Sequence, residues 1–370
     1  MPYYSITMLI FYVVFFFLIL RFTVTLFNFI SNPKLTATSR TYDHLVSILI
    51  PARNEEERIL TLLQSLKDQN YQNIEVIILD DDSTDNTFDV CRNFCRSDSR
   101  FTVIRGDELP DDWLGKNFAC HQLALQAKGK YLLFLDADEI VKDGLINNAL
   151  HRMKIGKLTL LSLFANQIMA TAGERLVVPL MHFLLLNTLP LRLVRLSDKS
   201  AFSAASGQFM LFDANTYHKH LWHAQVKDKV VEDIEIMKLI KAYRYKTESL
   251  LANGYLFCRM YKGYGDALDG FSKNLLAGFG NNIAGLLCYL LLVMAGPVFI
   301  AIYLNTGLLS FALTLIILSR IMISFSSGQN VFLNILLHPL QMVSFILLSV
   351  ISVKKHVTKK VNWKGRTIST

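Results

Sequence analysis

The stretch KYLLFLDAD, residues 130–138, decides the fold of this chain. Residues 131–135 are apolar and uncharged, a pattern that predicts a strand buried inside a sheet. Two carboxylates, Asp136 and Asp138, follow directly, with only Ala137 between them. Because like charges repel, a pair of acids at the end of a buried strand indicates either a bound cation or a structural role, such as capping the next helix.

Strand and helix patterns alternate around that stretch. Further strands are predicted at 45–50, 74–80 and 101–106, and helices within 54–69, 81–96 and 113–129. Pro51 should end the first strand, and the acids of 54–69 should lie in the first turn of its helix. This alternation is typical of an α/β domain with a mostly parallel sheet.

A second group of acids, at residues 80–82, ends the strand predicted at 74–80. Ligands of parallel sheets bind beyond the carboxyl ends of the strands, so both acid groups should lie on one edge. A hard divalent ion such as Mg²⁺ or Mn²⁺ would bind these carboxylates together with ligand phosphates. The alternative, in which Asp136 and Asp138 cap a helix within 138–150, explains only one of the two groups.

Other common nucleotide and hydrolase motifs are missing from the sequence. It contains no G-x-G-x-x-G, no G-x-x-x-x-G-K-[ST] and no G-x-S-x-G. A dinucleotide-binding fold, a P-loop and a nucleophile elbow are therefore not indicated.

Apolar residues are concentrated at the two ends of the chain. Of 370 residues, 52% are hydrophobic and the mean hydropathy is +0.33, which is high for a soluble enzyme. Residues 6–30 carry one charge, Arg21, and no cleavage site follows, which predicts a retained anchor. Three more apolar stretches lie at 283–304, 307–325 and 331–352. The predicted parts are an anchor at 1–32, a globular domain at 40–280, membrane helices at 281–353 and a basic tail at 354–370.

Basic residues set the expected orientation. The net charge is +8, and the segment 354–366 is rich in lysine. A juxtamembrane segment facing anionic lipid explains that cluster better than nucleic-acid binding, so no nucleic-acid partner is expected. The positive-inside rule places both the globular domain and the tail on the cytoplasmic side of the cell membrane. One N-terminal span followed by three C-terminal spans would leave the tail outside the cell, so one C-terminal segment should not cross. Gly296 and Pro297 favour a re-entrant or interfacial hairpin at 283–304.

Several segments, taken in order, resemble family 2 glycosyltransferases with a GT-A fold. They are VSILIPARNEEERI, VIILDDDSTDNT, WLGKNFAC and LLFLDADEIV. Three later segments, SGQFMLFDANTY, VVEDIEI and RMYKGYGDALDGFSKNLLAGFG, are similar to a membrane-attached branch that glycosylates lipids, including carotenoids. The resemblance covers essentially the whole chain and implies a GT-A domain between N-terminal and C-terminal transmembrane helices.

The resemblance implies a binding site for a nucleotide sugar and a metal. The residues implied to bind the donor are Pro51, Ala52 and Glu55 along the nucleotide, Asp80 and Asp81 at the uracil and ribose, and Lys116 near the diphosphate. A solvated lysine at a helix start is the alternative for Lys116. Asp136 and Asp138 match the metal-binding D-x-D, with Asp138 as the direct ligand of Mg²⁺ or Mn²⁺. Asp82 stands where the family usually has glycine.

The resemblance also implies residues for the reaction and the acceptor. They are Glu232, Asp233, Gly207, Gln208, His223, Arg259 and Tyr261. Asp233 matches the usual catalytic base, whereas a buried structural role is the alternative for His223. Arg259 and Tyr261 lie where polysaccharide synthases carry Q-x-x-R-W, and the missing Gln and Trp argue against processive synthesis.

The stretch 173–196 is apolar and long enough to cross a membrane. A crossing there would place Asp138 and Asp233 on opposite sides and destroy the implied site. We therefore expect interfacial helices that lie on the bilayer, with Arg192 and Arg195 at the lipid headgroups.

The expected function is an inverting transfer of a sugar from a UDP-sugar, such as UDP-glucose, to a membrane lipid. A carotenoid or another polyisoprenoid is the expected acceptor. A bound metal would neutralise the departing diphosphate, and a carboxylate base would assist the attack by about 10²–10⁴-fold. A carboxylate acceptor would already be ionised, and Asp233 would then orient it. The alternatives are a processive polysaccharide synthase and a non-catalytic membrane scaffold.

Overall fold

The computed structural model describes residues 2–303, 306–358, 361–363 and 366–368. The helices are α1 (Pro2–Ser31), α2 (Ile59–Lys67), α3 (Thr87–Cys95), α4 (Gly115–Gln126), α5 (Leu145–Gly156), α6 (Ala172–Val177), α7 (Pro179–Thr188), α8 (Leu193–Leu196), α9 (Ala214–His220), α10 (Trp222–Gln225), α11 (Glu232–Ala242), α12 (Tyr264–Gly278), α13 (Ile283–Tyr303), α14 (Thr306–Ser327), α15 (Val331–Leu336) and α16 (His338–Thr358). The strands are β1 (Val46–Ala52), β2 (Ile74–Asp80), β3 (Phe101–Arg105), β4 (Tyr131–Leu135), β5 (Glu139–Val141), β6 (Leu160–Phe164), β7 (Asn166–Gln167), β8 (Phe209–Asp213), β9 (Thr247–Leu251), β10 (Leu256–Cys258), β11 (Val361–Trp363) and β12 (Arg366–Ile368). Within the predicted basic tail, residues 359, 360, 364, 365, 369 and 370 lie outside the described residues.

The main sheet has the strand order β3–β2–β1–β4–β8–β6–β9. β1 pairs in parallel with β2 and β4, whereas β8 is antiparallel to β4 and β6. Successive residues of a strand point to opposite faces, so Leu49 and Phe134 pack in one core and Ile48 packs in the other. The sheet confirms the predicted α/β fold.

β1 continues past the expected end at Pro51 and finishes at Ala52. Its pairing with β4 ends where Leu49 lies opposite Phe134, but its pairing with β2 continues until Ala52 lies opposite Asp80. Proline lacks the N–H that a ladder needs. Pro51 is tolerated in the strand because the ladder to β4 has already ended there.

The acids expected in the first turn of the helix within 54–69 instead precede it. α2 begins at Ile59. Glu56 lies in the preceding loop, where its carboxylate accepts hydrogen bonds from the backbone and side chain of Asn86 at 2.9 and 3.0 Å. Glu56 therefore holds the loop against the start of α3.

Asp136 and Asp138 do not cap a helix. The chain forms β5 directly after Asp138, and α5 begins at Leu145, after Gly144 in the left-handed conformation (φ 86°). β5 pairs with β10 and is thereby tied to a distant part of the chain. The two acids thus lie between two strands.

Among the described residues, four helical segments are long and apolar enough to cross a membrane, namely Met8–Ser31, Ile283–Tyr303, Thr306–Ser327 and His338–Thr358. The expected break within 283–304 is wrong, because α13 is continuous with Pro297 inside it. Gly296 serves helix packing instead, since a Cβ there would lie 3.2 Å from Val14 of α1. The apolar stretch 331–352 is divided between α15 and α16.

The stretch 173–196 forms α6, α7 and α8 in place of one long helix. α7 packs against α1 and α14. Asn28 of α1 donates to the backbone oxygens of Leu186 and Leu189 at 2.9 and 2.8 Å, which ties the stretch to the N-terminal helix.

Three arginines surround the buried carboxylate of Glu248 in β9. Arg152 donates two hydrogen bonds to it at 2.5 and 2.6 Å, and Arg192 and Arg195 lie 3.6 and 3.9 Å away. Arg192 also donates to the backbone oxygen of Ser31 at 2.8 Å. These ion pairs join the sheet to the end of α1.

Candidate active site

The carboxyl ends of β1, β2 and β4 meet at one edge of the sheet, where the two acid groups lie. Asp80 ends β2, and the backbone N–H of Asp81 donates to the oxygen of Ala52 at 2.8 Å. Asp80 is 3% exposed, and its Oδ1 has no hydrogen-bond partner within the described part of the chain. A buried acceptor without a partner is unusual and suits an N–H donor of a bound base.

Arg53, which the sequence motifs did not single out, holds the loop after β2. Its Nη1 donates to the backbone oxygens of Asp81 and Asp82 at 2.5 and 2.7 Å. Asp82 has a φ of 55°, in the left-handed region that glycine favours. The aspartate therefore adopts a glycine-like conformation at the position where the family usually has glycine, with Arg53 bound to its carbonyl.

Lys116 links the D-x-D acids to the predicted catalytic pair. Its Nζ lies 2.8 Å from Asp136 Oδ1 and 3.2 Å from Glu232 Oε1. Burial alone would lower the pKa of Lys116, but the charges of Asp136 and Glu232 outweigh burial and raise that pKa well above its usual value. Lys116 is therefore a charged group between two carboxylates, unlike the solvated lysine of the alternative interpretation.

Asp138 is paired with a second cation, Arg58. The Nη1 of Arg58 lies 3.3 Å from Asp138 Oδ2 and donates to the oxygen of Met260 at 3.4 Å. Each acid of the D-x-D thus has a cationic partner. Arg58 follows the acidic run after β1, within the segment VSILIPARNEEERI, where the sequence assigned it no role.

Glu139 and Cys258 join Asp138 in a group whose possible ligand atoms lie within 4.8 Å of one another. Burial, followed by the charges of Asp138 and Asp136, raises the pKa of Glu139 well above its usual value. Burial also raises the pKa of the Cys258 thiol, which disfavours the thiolate that binds metals. The oxygen donors of Asp138 and Glu139 therefore fit a hard divalent cation, which would relieve their repulsion.

Asp233 lies at the start of α11, beside Glu232. Its Oδ2 accepts from the Gly207 N–H at 2.9 Å, and its Oδ1 accepts from the Ile234 N–H at 2.8 Å. Burial, together with the charge of Glu232, raises the pKa of Asp233 to about 7. A carboxylate with this pKa is well suited to accept a proton near neutral pH.

Gly207 brings these groups together because it has no side chain. A Cβ on Gly207 would lie 2.9 Å from Lys116 Nζ and 3.2 Å from Glu232 Oε1. Its neighbour Gln208 is buried, and the Gln208 backbone oxygen accepts from the Asp136 N–H at 3.4 Å. Gly207 and Gln208 therefore connect the metal-binding and catalytic segments.

His223 is buried behind the site. Its Nδ1 shares a 2.5 Å hydrogen bond with the hydroxyl of Tyr217, and its ring packs on Phe134 at 4.7 Å between centroids. Burial, reinforced by the charge of Lys116, lowers the pKa of His223 to about 3, so the ring is neutral. His223 lines one cavity with Pro51, Lys116, Asp136, Gly207 and Glu232.

Arg259 and Tyr261 lie outside that cavity. Arg259 Nη2 contacts Glu174 Oε1 at 3.0 Å, beside the start of α6. Tyr261 packs on Phe271 and lines a second cavity, together with Glu55. The structure therefore brings Lys116, Asp136, Gly207, Glu232 and His223 together and separates Arg259, Tyr261 and Glu55 from them.

Residues 47–176 match the family model described as glycosyl transferase family 2. This part of the chain is a glycosyl transferase family 2 domain. This result confirms the predicted family and enzyme class.

Curated relatives of the glycosyltransferase match over most of its length. The 4,4'-diaponeurosporenoate glycosyltransferase of Staphylococcus haemolyticus is 26% identical over 342 residues, which cover 88% of each chain. The enzyme of the same name from Staphylococcus aureus is 26% identical over 357 residues, 91% of this chain and 92% of its own.

A solved structure shares the fold of the glycosyltransferase. It is the mannosyltransferase PcManGT from Pyrobaculum calidifontis, in complex with GDP-Man and Mn²⁺. The two are 15% identical, with a TM-score of 0.56, and the match covers 95% of this chain and 100% of the other. The similarity supports a GT-A-like fold.

Proposed function

We propose that this glycosyltransferase transfers one sugar from a UDP-sugar, such as UDP-glucose, to a membrane lipid with inversion at the anomeric carbon. The observation that carries the proposal is the connection of the D-x-D to Asp233. Lys116 bridges Asp136 and Glu232, and Gly207 donates to Asp233. A donor site and a proton acceptor thus share one edge of the sheet.

The donor side would bind a nucleotide diphosphate. Asp80 offers its buried Oδ1 to a base N–H, and Asp81 follows it at the end of β2. Asp136 and Asp138 would hold Mg²⁺ or Mn²⁺, and the ion when bound would neutralise charge on the departing diphosphate. Lys116, which contacts Asp136, would add a second positive charge beside the leaving group.

Asp233 would act on the acceptor. With a hydroxyl acceptor it would take the proton during attack, and its pKa of about 7 suits that role. With a carboxylate acceptor there is no proton to remove, and Asp233 would position the nucleophile. One base opposite the leaving group supports a single displacement, and hence inversion.

A carotenoid or another polyisoprenoid is the proposed acceptor. The relatives that match along most of the chain are named for a carotenoid carboxylate, 4,4'-diaponeurosporenoate. The four apolar helical segments support access to a lipid of the membrane. The positive-inside rule favours a catalytic domain on the cytoplasmic side.

The experiment is transfer by the full chain in lipid nanodiscs, with UDP-glucose, Mn²⁺ or Mg²⁺, and a carotenoid carboxylate. Mass spectrometry should detect one added hexose, and NMR should show the inverted anomer. Asp233→Asn and Asp138→Asn should lose transfer with an unchanged melting temperature. Wild-type turnover by either variant would contradict the mechanism, and a product with many sugars would instead support a polysaccharide synthase.

A further inference from the structure

α16 is the least apolar of the helices that could cross a membrane. Its mean hydropathy is 1.4, against 2.1 to 2.4 for the other three. Length and composition alone qualify it as a span. Its contacts indicate a different position.

Side chains along most of α16 contact the part of the chain that carries the active site. The hydrogen bonds are Gln341 Nε2 to Arg175 O at 2.9 Å, Ser344 Oγ with Tyr264 OH at 3.1 Å, Leu276 N to Ser352 Oγ at 3.2 Å, and Lys355 Nζ to Asp269 O at 2.9 Å. At a rise of 1.5 Å per residue, these contacts cover about 21 Å of the helix axis. α16 thus lies along α12 for most of its length.

α12 is itself on the side of the catalytic domain. It follows β10, and its exposed or half-buried face carries Asp266, Asp269 and Lys273. Charged side chains of this kind are unfavourable in hydrocarbon. A bilayer core is about 30 Å thick, which is about the whole length of a 21-residue helix. Residues 341–355 of α16 contact α12 and α6. Too few residues therefore remain at either end of α16 to reach the other side of the membrane.

α14 shows the pattern expected of a span. Its last turn contacts the catalytic domain, where Asn166 Nδ2 donates to Ser327 O at 3.0 Å. Its other end lies beside the first half of α1, where Phe311 stacks on Phe15 at 6.4 Å between centroids. α13 also reaches that region, because Ile300 packs in the same cluster as Phe15.

The outer face of α16 is apolar. Leu340, Val343, Leu347, Val350 and Val357 are exposed and recur at helical spacing. The opposite face, which is buried against the protein, includes Gln341, Ser344, Ser349 and Ser352. The helix ends with Lys354, Lys355 and His356.

We infer that α16 lies in the membrane interface, on the same side as the catalytic domain, and that among the described helices α1, α13 and α14 cross. The exposed apolar face of α16 contacts the bilayer surface. The apolar stripe would enter the boundary between headgroups and acyl chains, and the terminal basic residues would meet anionic headgroups. The face is continuous with the spans, because α16 packs on α13.

This arrangement resolves the conflict between charge and span count. With three crossings, the basic segment that begins at Lys354 lies on the same side as the catalytic domain, as the positive-inside rule requires. α16, and not α13, is the C-terminal segment that does not cross.

Depth-dependent quenching tests the inference. One cysteine at a time is introduced at Leu347 or Val357 of α16, or at Ile317 or Phe325 of α14, in a background in which the half-buried Cys95 and the exposed Cys288 are replaced by serine. The full chain is labelled with an environment-sensitive fluorophore and placed in phosphatidylcholine–phosphatidylglycerol liposomes that contain shallow or deep nitroxide lipids. A spanning helix has a deep middle and a shallow end, so the α14 pair should differ in depth by about 12 Å. The α16 pair should lie at one shallow depth. A deep Leu347→Cys beside a shallow Val357→Cys would overturn the inference.

Labelling with a membrane-impermeant maleimide in sealed vesicles gives an independent readout. The three sites are exposed residues: Thr358 at the end of α16, Thr306 at the start of α14 and Lys128 on the catalytic domain. Thr358→Cys should react from the same side as Lys128→Cys and from the opposite side to Thr306→Cys. Reaction of Thr358→Cys from the Thr306→Cys side would show that α16 crosses.

Discussion

Replacing Gly207 by alanine should slow transfer without unfolding the protein. The new Cβ would lie 2.9 Å from Lys116 Nζ and 3.2 Å from Glu232 Oε1, both closer than ordinary contacts, so these two side chains or the Gly207 backbone must move. Movement of the backbone would weaken the 2.9 Å hydrogen bond from the Gly207 N–H to Asp233. A hydrogen bond to a charged group contributes about 1.5–3 kcal/mol. If this difference acts on the transition state, kcat/KM should fall by about 10- to 150-fold.

The pH profile distinguishes this mechanism from simple misfolding. The Gly207 N–H stabilises the ionised form of Asp233, so weakening the hydrogen bond should raise the pKa of Asp233 above about 7. With an alcohol acceptor, the rise of kcat/KM with pH should therefore move to higher pH. A loss of activity from unfolding would leave the pH profile of the remaining enzyme unchanged.

Gly265→Ala is the matched control. Gly265 lies in α12, and a Cβ there would meet no heavy atom within 4 Å. It should keep the wild-type rate and pH profile. The assay is initial-rate transfer from UDP-glucose between pH 5 and 9, with thermal melting of each variant. A folded Gly207→Ala enzyme with the wild-type rate and pH profile would refute the reasoning.

Three further predictions follow from the same geometry. With an alcohol acceptor, wild-type kcat/KM should rise with pH through about 7 because Asp233 must lose its proton to act as a base, and this rise should be missing from the residual activity of Asp233→Asn. Glu248→Gln should lower the free energy of unfolding by about 1.5–3 kcal/mol, because it removes the buried carboxylate that accepts two hydrogen bonds from the half-buried Arg152, whereas the exposed Glu108→Gln should have little effect in the same thermal or denaturant melt. Arg58→Ala should lower the Mn²⁺ concentration for half-maximal activity several-fold, because Arg58 competes with the ion for Asp138, and an unchanged or higher requirement would contradict that pairing.

Local sequence patterns were enough to predict the strands and the acids at the carboxyl ends of β2 and β4. An uncharged apolar run followed by acids, as at 131–138, indicates both a buried strand and the position of its carboxyl end. The predicted ends of the strands and helices were less accurate. Pro51 remains inside β1 because only one of its two ladders continues that far, and the acids before α2 bind α3. Such details depend on neighbours that are distant in sequence.

Several residues of the site could not be recognised from sequence. Arg53 and Arg58 lie within the segment VSILIPARNEEERI, but its pattern assigned them no role, and their importance comes from the carbonyls and carboxylate that the fold places beside them. Cys258 lies near Glu139 only because β10 pairs with β5. The adjacent acid Glu139 could have been suspected from its position directly after the D-x-D.

The sequence by itself determined the α/β fold, the family and the acids at the ends of the strands, because these depend on residue spacing within short segments. Only the tertiary structure decided that Lys116 lies between Asp136 and Glu232, because a contact between distant segments depends on how the helices pack on the sheet. The same reason applies to α16. Its composition qualifies it as a membrane span, but its hydrogen bonds to α12 and α6 hold it beside the catalytic domain.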